Sequence, residues 1–419
     1  MTFTSVDHSH MYLTVNRRLT FAASRRLSRG EWTRQENERV YGAGEEGTWG
    51  SGENFGAHFV LDGELDPRTG MFVNLAHVKD ALDPVFEQRY DHRFLNLDTP
   101  PFDATPPTCE NLARQLLAEA ERACASLTAR LAACHLDESA GTGATFYRSG
   151  LVERDFSTAF SAARRTWSPH MSEAENLERF GRAASPAGHG HGYRLRVTLA
   201  GPADDDSGLV VPHETSSRAL GALHACLDHR NLNLEVRDLA GSPMTTECLA
   251  RFIFRRLAED LPVARVRLHE TPELFAEYDG ERVALGLERS FSAAHRLRNP
   301  DFTDEENRHV FGKCSNPNGH GHRYRVQATL AGQLDERSGT LFHLGRFDEI
   351  LGGTLGAWSG RHLDLEVDEF RGKPSTGENI LGALWPRLDS RVGRMLVRLR
   401  LFETENNRFT LRSTGSVRS

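Results

Sequence analysis

Two short segments decide how this chain is read: Phe291-Ser-Ala-Ala-His295 and, further along, Cys314-Ser-Asn-Pro-Asn-Gly-His320-Gly-His322-Arg-Tyr324. Side chains alternate along a strand, so His320 and His322 share a face and can grip one ion together. His295 supplies a third imidazole. Three imidazoles without a fourth protein ligand are the pattern of a catalytic zinc, which keeps one coordination position open for water or substrate. Cys314 stands close enough before His320 to reach the same pocket, and reads as a proton-transfer group rather than a ligand. The duller reading of Cys314, a small buried hydrophobe, stays open.

The same framework occurs three times, with the chemistry missing from two copies. Phe160-Ser-Ala-Ala-Arg164 matches Phe291 to His295, and Asn176, Phe180, Gly181, His189, His191 and Tyr193 fall in ungapped register with Asn307, Phe311, Gly312, His320, His322 and Tyr324. The first copy is fainter: Phe21-Ala-Ala-Ser-Arg25, then Asn37, Tyr41-Gly42, Ser51-Gly52-Glu53, and Gly63-Glu-Leu-Asp66 mirroring Gly332-Gln-Leu-Asp335. The period, roughly 130 to 140 residues, is that of one ordinary domain. Three units are therefore expected, over residues 8–140, 145–278 and 282–412, with linkers near 139–145 and 278–281 where glycine and polar residues interrupt the periodicity.

Each copy reads as strand, strand, helix, helix, strand. In the third, 284–294 and 323–332 alternate as an antiparallel pair, a helix is centred on 347–355, and Pro374-Ser-Thr-Gly-Glu-Asn379 opens a second helix running to about Leu388. Residues 394–403 return as a strand.

Composition bounds the function. A chain of 419 residues with 38% hydrophobic and 26% charged content is globular, and a formal charge of −7 argues against a nucleic-acid surface. No apolar run is long enough to cross a bilayer, and Met1-Thr-Phe-Thr-Ser-Val-Asp-His8 has neither the basic nor the apolar region of a signal peptide, so a cytoplasmic protein without a membrane partner is expected. The six cysteines have no CxxC spacing, which points away from a disulfide scaffold or a thiolate zinc finger.

The string from Gly312 to Tyr324 resembles the zinc and cysteine motif of the 6-pyruvoyl-tetrahydropterin synthases and their relatives the 6-carboxy-tetrahydropterin synthases, with the cysteine-to-histidine spacing of the pyruvoyl type. That resemblance implies an α+β tunnelling fold, in which three tandem repeats, each an antiparallel sheet with two helices, close into a pseudo-trimeric barrel. It implies Zn2+ on His295, His320 and His322, a catalytic Cys314, a pterin-anchoring Glu403, and Thr376 and Glu378 closing the pocket. Family sites lie between neighbouring subunits, and the family's Asp-His pair comes from the neighbour. The third repeat has Ser359-Gly360 in that place, so Asp91-His92 or Asp228-His229 is expected to complete its site, either pair being otherwise structural.

The other two sites read as dead, with Arg25 and Arg164 replacing the first metal histidine, Ala183 the cysteine, and Ser51 and Glu53 the histidine pair. These arginines read as ion-pair partners or phosphate binders, and Glu138 and Glu270 remain in the anchor position. The implied activity is a lyase eliminating triphosphate from 7,8-dihydroneopterin triphosphate without a redox cofactor, in a homodimer of stacked rings. Two alternatives stand beside it: the carboxy-type reaction that feeds deazapurine (queuosine) synthesis, and a non-catalytic pterin-binding protein.

Overall fold

The computed structural model describes residues 11–44, 49–138 and 141–414. The N-terminal stretch read for a targeting signal, residues 8–10 of the first expected unit, and residues 139 and 140 at the first junction lie outside the described residues.

Each repeat opens with two long strands: β1 (Met11–Arg25) and β2 (Ser51–Asp62) in the first. Between them an eight-residue helix, Arg34–Tyr41, is started by a capping box in which Thr33 and Glu36 satisfy each other's backbone N–H groups. The same box recurs as Ser172 with Glu175 and Thr303 with Glu306. Two longer helices follow, Leu75–Arg89 and Cys109–Ala123, separated by the two-residue strand β3 (Arg93–Phe94); then come β4 (Arg130–Asp137) and β5 (Gly143–Tyr147).

The second repeat runs β6 (Val152–Arg164), β7 (His189–Gly201), the short β8 (Arg230–Asn231), β9 (Val263–His269) and β10 (Leu274–Tyr278). The third gives β11 (Val283–His295), β12 (His320–Gly332), β13 (Leu396–Phe402) and β14 (Asn407–Ser413).

Sequence periodicity finds the long strands and helices and misses the closing strand of each repeat. The stretch expected to be a linker is one such miss, since 143–145 begin β5, which pairs with β4 on one side and β6 on the other. The closing strands β5, β10 and β14 are what join the repeats. β5 pairs β6, β10 pairs β11, and β14 returns to β1, so twelve long antiparallel strands close into a barrel with no free edge. The tunnelling fold is thus built by one chain whose three repeats stand where a trimer's subunits would.

Helices cover the outside. Leu399, Leu401, Phe409 and Leu411 join Ile380, Leu381 and Leu384 of the helix Gly377–Asp389 in one apolar cluster, so the alternate residues of β13 and β14 face the lumen.

The three seams share one lock. Thr376 Oγ1 donates to Gly70 O at 2.7 Å, Thr108 Oγ1 to Gly208 O at 2.8 Å, and Thr245 Oγ1 to Gly339 O. Each hydroxyl also accepts the N–H that caps its own helix.

Candidate metal centre and its cleft

β11 and β12 pair so that His295 lies opposite His320 and Ala293 opposite His322. The three imidazoles converge, with ligand nitrogens within 4.8 Å of one another and the Nε2 atoms of His295 and His320 at 3.1 Å. A tetrahedral zinc with bonds of about 2.0–2.1 Å sets its nitrogens about 3.3 Å apart, so the set fits such an ion. Burial holds all three rings below their ordinary value, His295 down to about 3, which keeps them neutral with lone pairs available.

Behind the ring, Nδ1 of His295 faces Ser375 O at 3.4 Å, and Ser375 Oγ donates to Asp364 at 2.8 Å. This contact directs Nε2 toward the other two histidines. Sequence reasoning overlooked both residues. The signal was present in Asp364, which stands where the other copies have Asn96 and Asn233.

Cys314 is placed by the segment between the strands. The helix Asp304–Phe311 ends on Gly312 at φ +54°, and a tight turn, Gly312–Ser315, presents the thiol, with Leu297 N–H donating to Cys314 O at 2.9 Å. Asn307 holds the preceding loop to the helix through Asn299, Phe302 and Thr303. Cys314 packs on Leu297, Phe302 and Phe311 together with Met71 from the first repeat. The cleft therefore lies at the seam between repeats 3 and 1. Burial, and secondarily the charge of Glu403, push the thiol up. The protein's own groups thus favour the protonated thiol.

Glu403 follows β13 and accepts from Asn407 Nδ2 at 3.3 Å; burial raises its pKa. Glu378 is buried, has Oε2 without a hydrogen-bond partner among the described residues, and is pushed up to about 8 by burial and then by Glu403. At neutral pH it is a protonated carboxyl. The Thr376 hydroxyl is engaged by the seam and the helix cap.

Each Asp-His pair is tied to the first strand of its own repeat. Asp91 accepts from Ala22 N–H at 2.9 Å and holds His92 Nδ1 at 2.9 Å; Asp228 repeats this with Ser161 and His229 at 2.8 and 2.7 Å. Both histidines take positive φ, 57° and 56°, and their side chains are 84% and 83% exposed. Gly360 N–H makes the matching contact to Ser292 O, three residues before His295, so the dyads occupy the barrel end that carries the three imidazoles. Each stays on its own repeat, and Glu403 is the charged neighbour acting on Cys314.

The two decayed sites are filled by ion pairs. Arg25 binds Glu138, and Arg164 Nη2 binds Glu270 at 2.6 Å. Both anchor carboxylates are held below their ordinary value by these guanidiniums, against the opposing effect of burial. Glu270 is further engaged by Thr246 and by His191 Nε2 at 3.0 Å. These ion pairs fit the first reading of the arginines, although Arg164, Thr246 and Glu270 also line a cavity at the seam between repeats 2 and 3. His189, His191 and Glu270 are near enough to ligate an ion, but Arg164 already holds the carboxylate.

A fused three-repeat α+β barrel with an imidazole cluster at one seam defines the tunnelling-fold class. The family model for 6-pyruvoyl tetrahydropterin synthase matches the chain three times, over residues 14–149, 154–281 and 284–414. The chain is 40% identical over 121 residues to the 6-pyruvoyl tetrahydrobiopterin synthase of Pongo abelii and 38% identical over 121 residues to that of Homo sapiens, in each case 28% of this chain and 83% of the relative. The solved structure of Caenorhabditis elegans 6-pyruvoyl tetrahydropterin synthase is similar at 35% identity, covering 32% of this chain and 96% of that one, with a TM-score of 0.31. The chain belongs to the 6-pyruvoyl tetrahydropterin synthase family. Among the described residues no helix is long and apolar enough to cross a membrane.

Proposed function

We propose that this chain is a zinc-dependent lyase of the 6-pyruvoyl-tetrahydropterin synthase type, eliminating triphosphate from 7,8-dihydroneopterin triphosphate in the one cleft where repeat 3 meets repeat 1. The convergence of His295, His320 and His322 beside Cys314 and Glu403 carries the reading. Zinc held there supplies Lewis acidity toward the side-chain hydroxyls of the substrate and a positive field at the cleft.

Glu403 presents two oxygens to the pterin's amino and ring N–H groups, and the protonated Glu378 adds a donor beside it. Cys314 removes a proton from the side-chain carbon. Its thiol is half-buried next to a carboxylate, so it becomes a base only when the positive field opposes both effects. Triphosphate departs by elimination, and internal proton transfers leave the pyruvoyl group.

The second proton passes through an Asp-oriented histidine, whose Nδ1 is held by the carboxylate while Nε2 stays free. In this reading the dyad comes from a second copy stacked on the imidazole-bearing end. Three leucines at matching repeat positions support stacking: Leu97, Leu234 and Leu365 are 69%, 83% and 75% exposed, a threefold apolar set that another ring would match. The same proposal includes a cytoplasmic location and repeat limits of 8–140, 145–278 and 282–412, with the first boundary moved past Tyr147 because β5 closes repeat 1.

Incubating purified protein with 7,8-dihydroneopterin triphosphate tests the reading. A pyruvoyl product by mass spectrometry, one equivalent of triphosphate and one zinc per chain are expected. A six-position carboxylate as main product would overturn it in favour of the carboxy-type reaction, and no turnover would favour a binding protein. Cys314→Ala is expected to abolish turnover with zinc retained; unchanged turnover removes the cysteine from its role as base.

A further inference from the structure

The lumen of the barrel carries a charge opposite to that of the molecule. Arg196 of β7, Arg265 and Arg267 of β9, Arg398 and Arg400 of β13, and Arg408 and Arg412 of β14 project inward, against the carboxylates of Asp137, Glu153, Asp155 and Glu277. Guanidiniums outnumber carboxylates in this set, inside a chain whose formal charge is −7.

The pairing is uneven. Arg267 and Arg398 share Glu277, at 2.5 and 2.8 Å. Asp137 is held by His58 and His135 at 2.9 and 2.8 Å as well as by Arg196 at 3.3 Å, and Arg265 lies 3.5 Å from Glu153. Among the described residues no carboxylate pairs with Arg400, Arg408 or Arg412. Arg400 has only a 3.4 Å contact to Gln327 Oε1, and the Nε atoms of Arg400 and Arg408 are buried without a hydrogen-bond partner. Burial first, and then Arg398, Arg267, Arg408 and Arg412, push the Arg400 guanidinium well below its ordinary value. Like charges gathered away from bulk water are costly unless a counter-charge joins them.

The register strings these cations along the barrel. Arg398 pairs Arg412, Arg400 pairs Thr410, and Phe402 pairs Arg408, so successive rungs are ~7 Å apart. The first repeat adds only Arg18, opposite His58, having Ala133 and His135 where the others have Arg265 and Arg267 or Arg398 and Arg400. The cationic wall is therefore one-sided and elongated, and guanidinium forks match phosphate oxygens.

We propose that the lumen is a binding site for a linear oligophosphate anion, seated along Arg412, Arg398, Arg400 and Arg408. The site is independent of the reaction assigned to the cleft.

Titration calorimetry of the full chain in low-salt, phosphate-free buffer, with inorganic tripolyphosphate as probe and orthophosphate and chloride at matched ionic strength as controls, tests this. One tripolyphosphate per chain is expected in the lumen, counted beyond any that the cleft holds as product, and bound more tightly than orthophosphate. The Arg400→Gln/Arg408→Gln variant is expected to bind at least about tenfold more weakly, each lost charge-assisted contact being worth about a factor of ten. Relieved of repulsion, it should also melt higher than the parent without the probe and lose the parent's upward shift with it. If that variant does not fold, Arg412→Gln provides the same comparison. Equal binding by parent and variants, or parent binding no tighter than chloride, overturns the proposal.

Discussion

Arg25 and Arg164 stand where the third repeat has His295, and each guanidinium lies against the glutamate of its own anchor position. One substitution thus removes a metal ligand and supplies the fixed cation that neutralises the remaining carboxylate. This arrangement gives a reversal test, because His189 and His191 survive in repeat 2 opposite Arg164. Arg164→His is expected to raise metal content, by elemental analysis, from one to two ions per chain; an unchanged content would mean that more than this residue closed the site. Glu378 gives a second prediction. Its carboxyl is raised from 4.5 to about 8, so the folded state keeps a proton that the unfolded chain releases. Stability from this group is complete below about pH 4.5 and falls as pH rises through 8. Glu378→Gln should flatten that slope in denaturant unfolding followed between pH 5 and 8; an identical slope in both proteins would assign it to other groups. The converging histidines were legible from spacing two apart and from the repeat. Ser375 was not, because a backbone carbonyl behind a ring leaves no mark in residue type.

At the scale of elements, the seams depend on glycine. Gly70, Gly208 and Gly339 take φ of +68°, +71° and +71°, and a Cβ at Gly70 would lie 2.3 Å from Asn379 Nδ2. Gly70→Ala and Gly208→Ala should each lower stability, by about 1–3 kcal/mol in chemical denaturation. Gly70→Ala alone should also lower kcat/KM, since its seam holds the cleft; equal activity losses would contradict a single working site. The long strands and paired helices were visible as alternation and as Ser/Thr-to-Glu caps. The closing strands were hidden because β5 and β10 are short: β10 is buried throughout, and a strand covered on both faces shows no alternation.

The whole molecule is a ring that imitates a trimer while letting its three sites diverge. Leu97, Leu234 and Leu365 were unremarkable in the sequence, since only the fold shows that they are exposed at equivalent places. Replacing all three with Glu should halve the mass seen by light scattering and abolish turnover with zinc retained. If the variant remains active as a single chain, the stacked-ring completion of the site is wrong. The Asp-His pairs were legible as dipeptides, but their place at the ends of β1 and β6 depends on the fold and could not be read from order along the chain.

Two of the three seams are bridged by covalent turns, whereas β1 and β14 meet only through seven residue pairs, from Met11 with Ser413 to Arg17 with Asn407. The sole cluster with Cys314 lies at this unbridged joint, next to Gly70 and Met71. If the ring opens first at this joint, turnover on heating is expected to fall before the far-UV signal of bulk unfolding changes. A circular permutant with the present ends joined and the chain opened at the 148–151 turn would shift the gap to a seam that has nothing to lose.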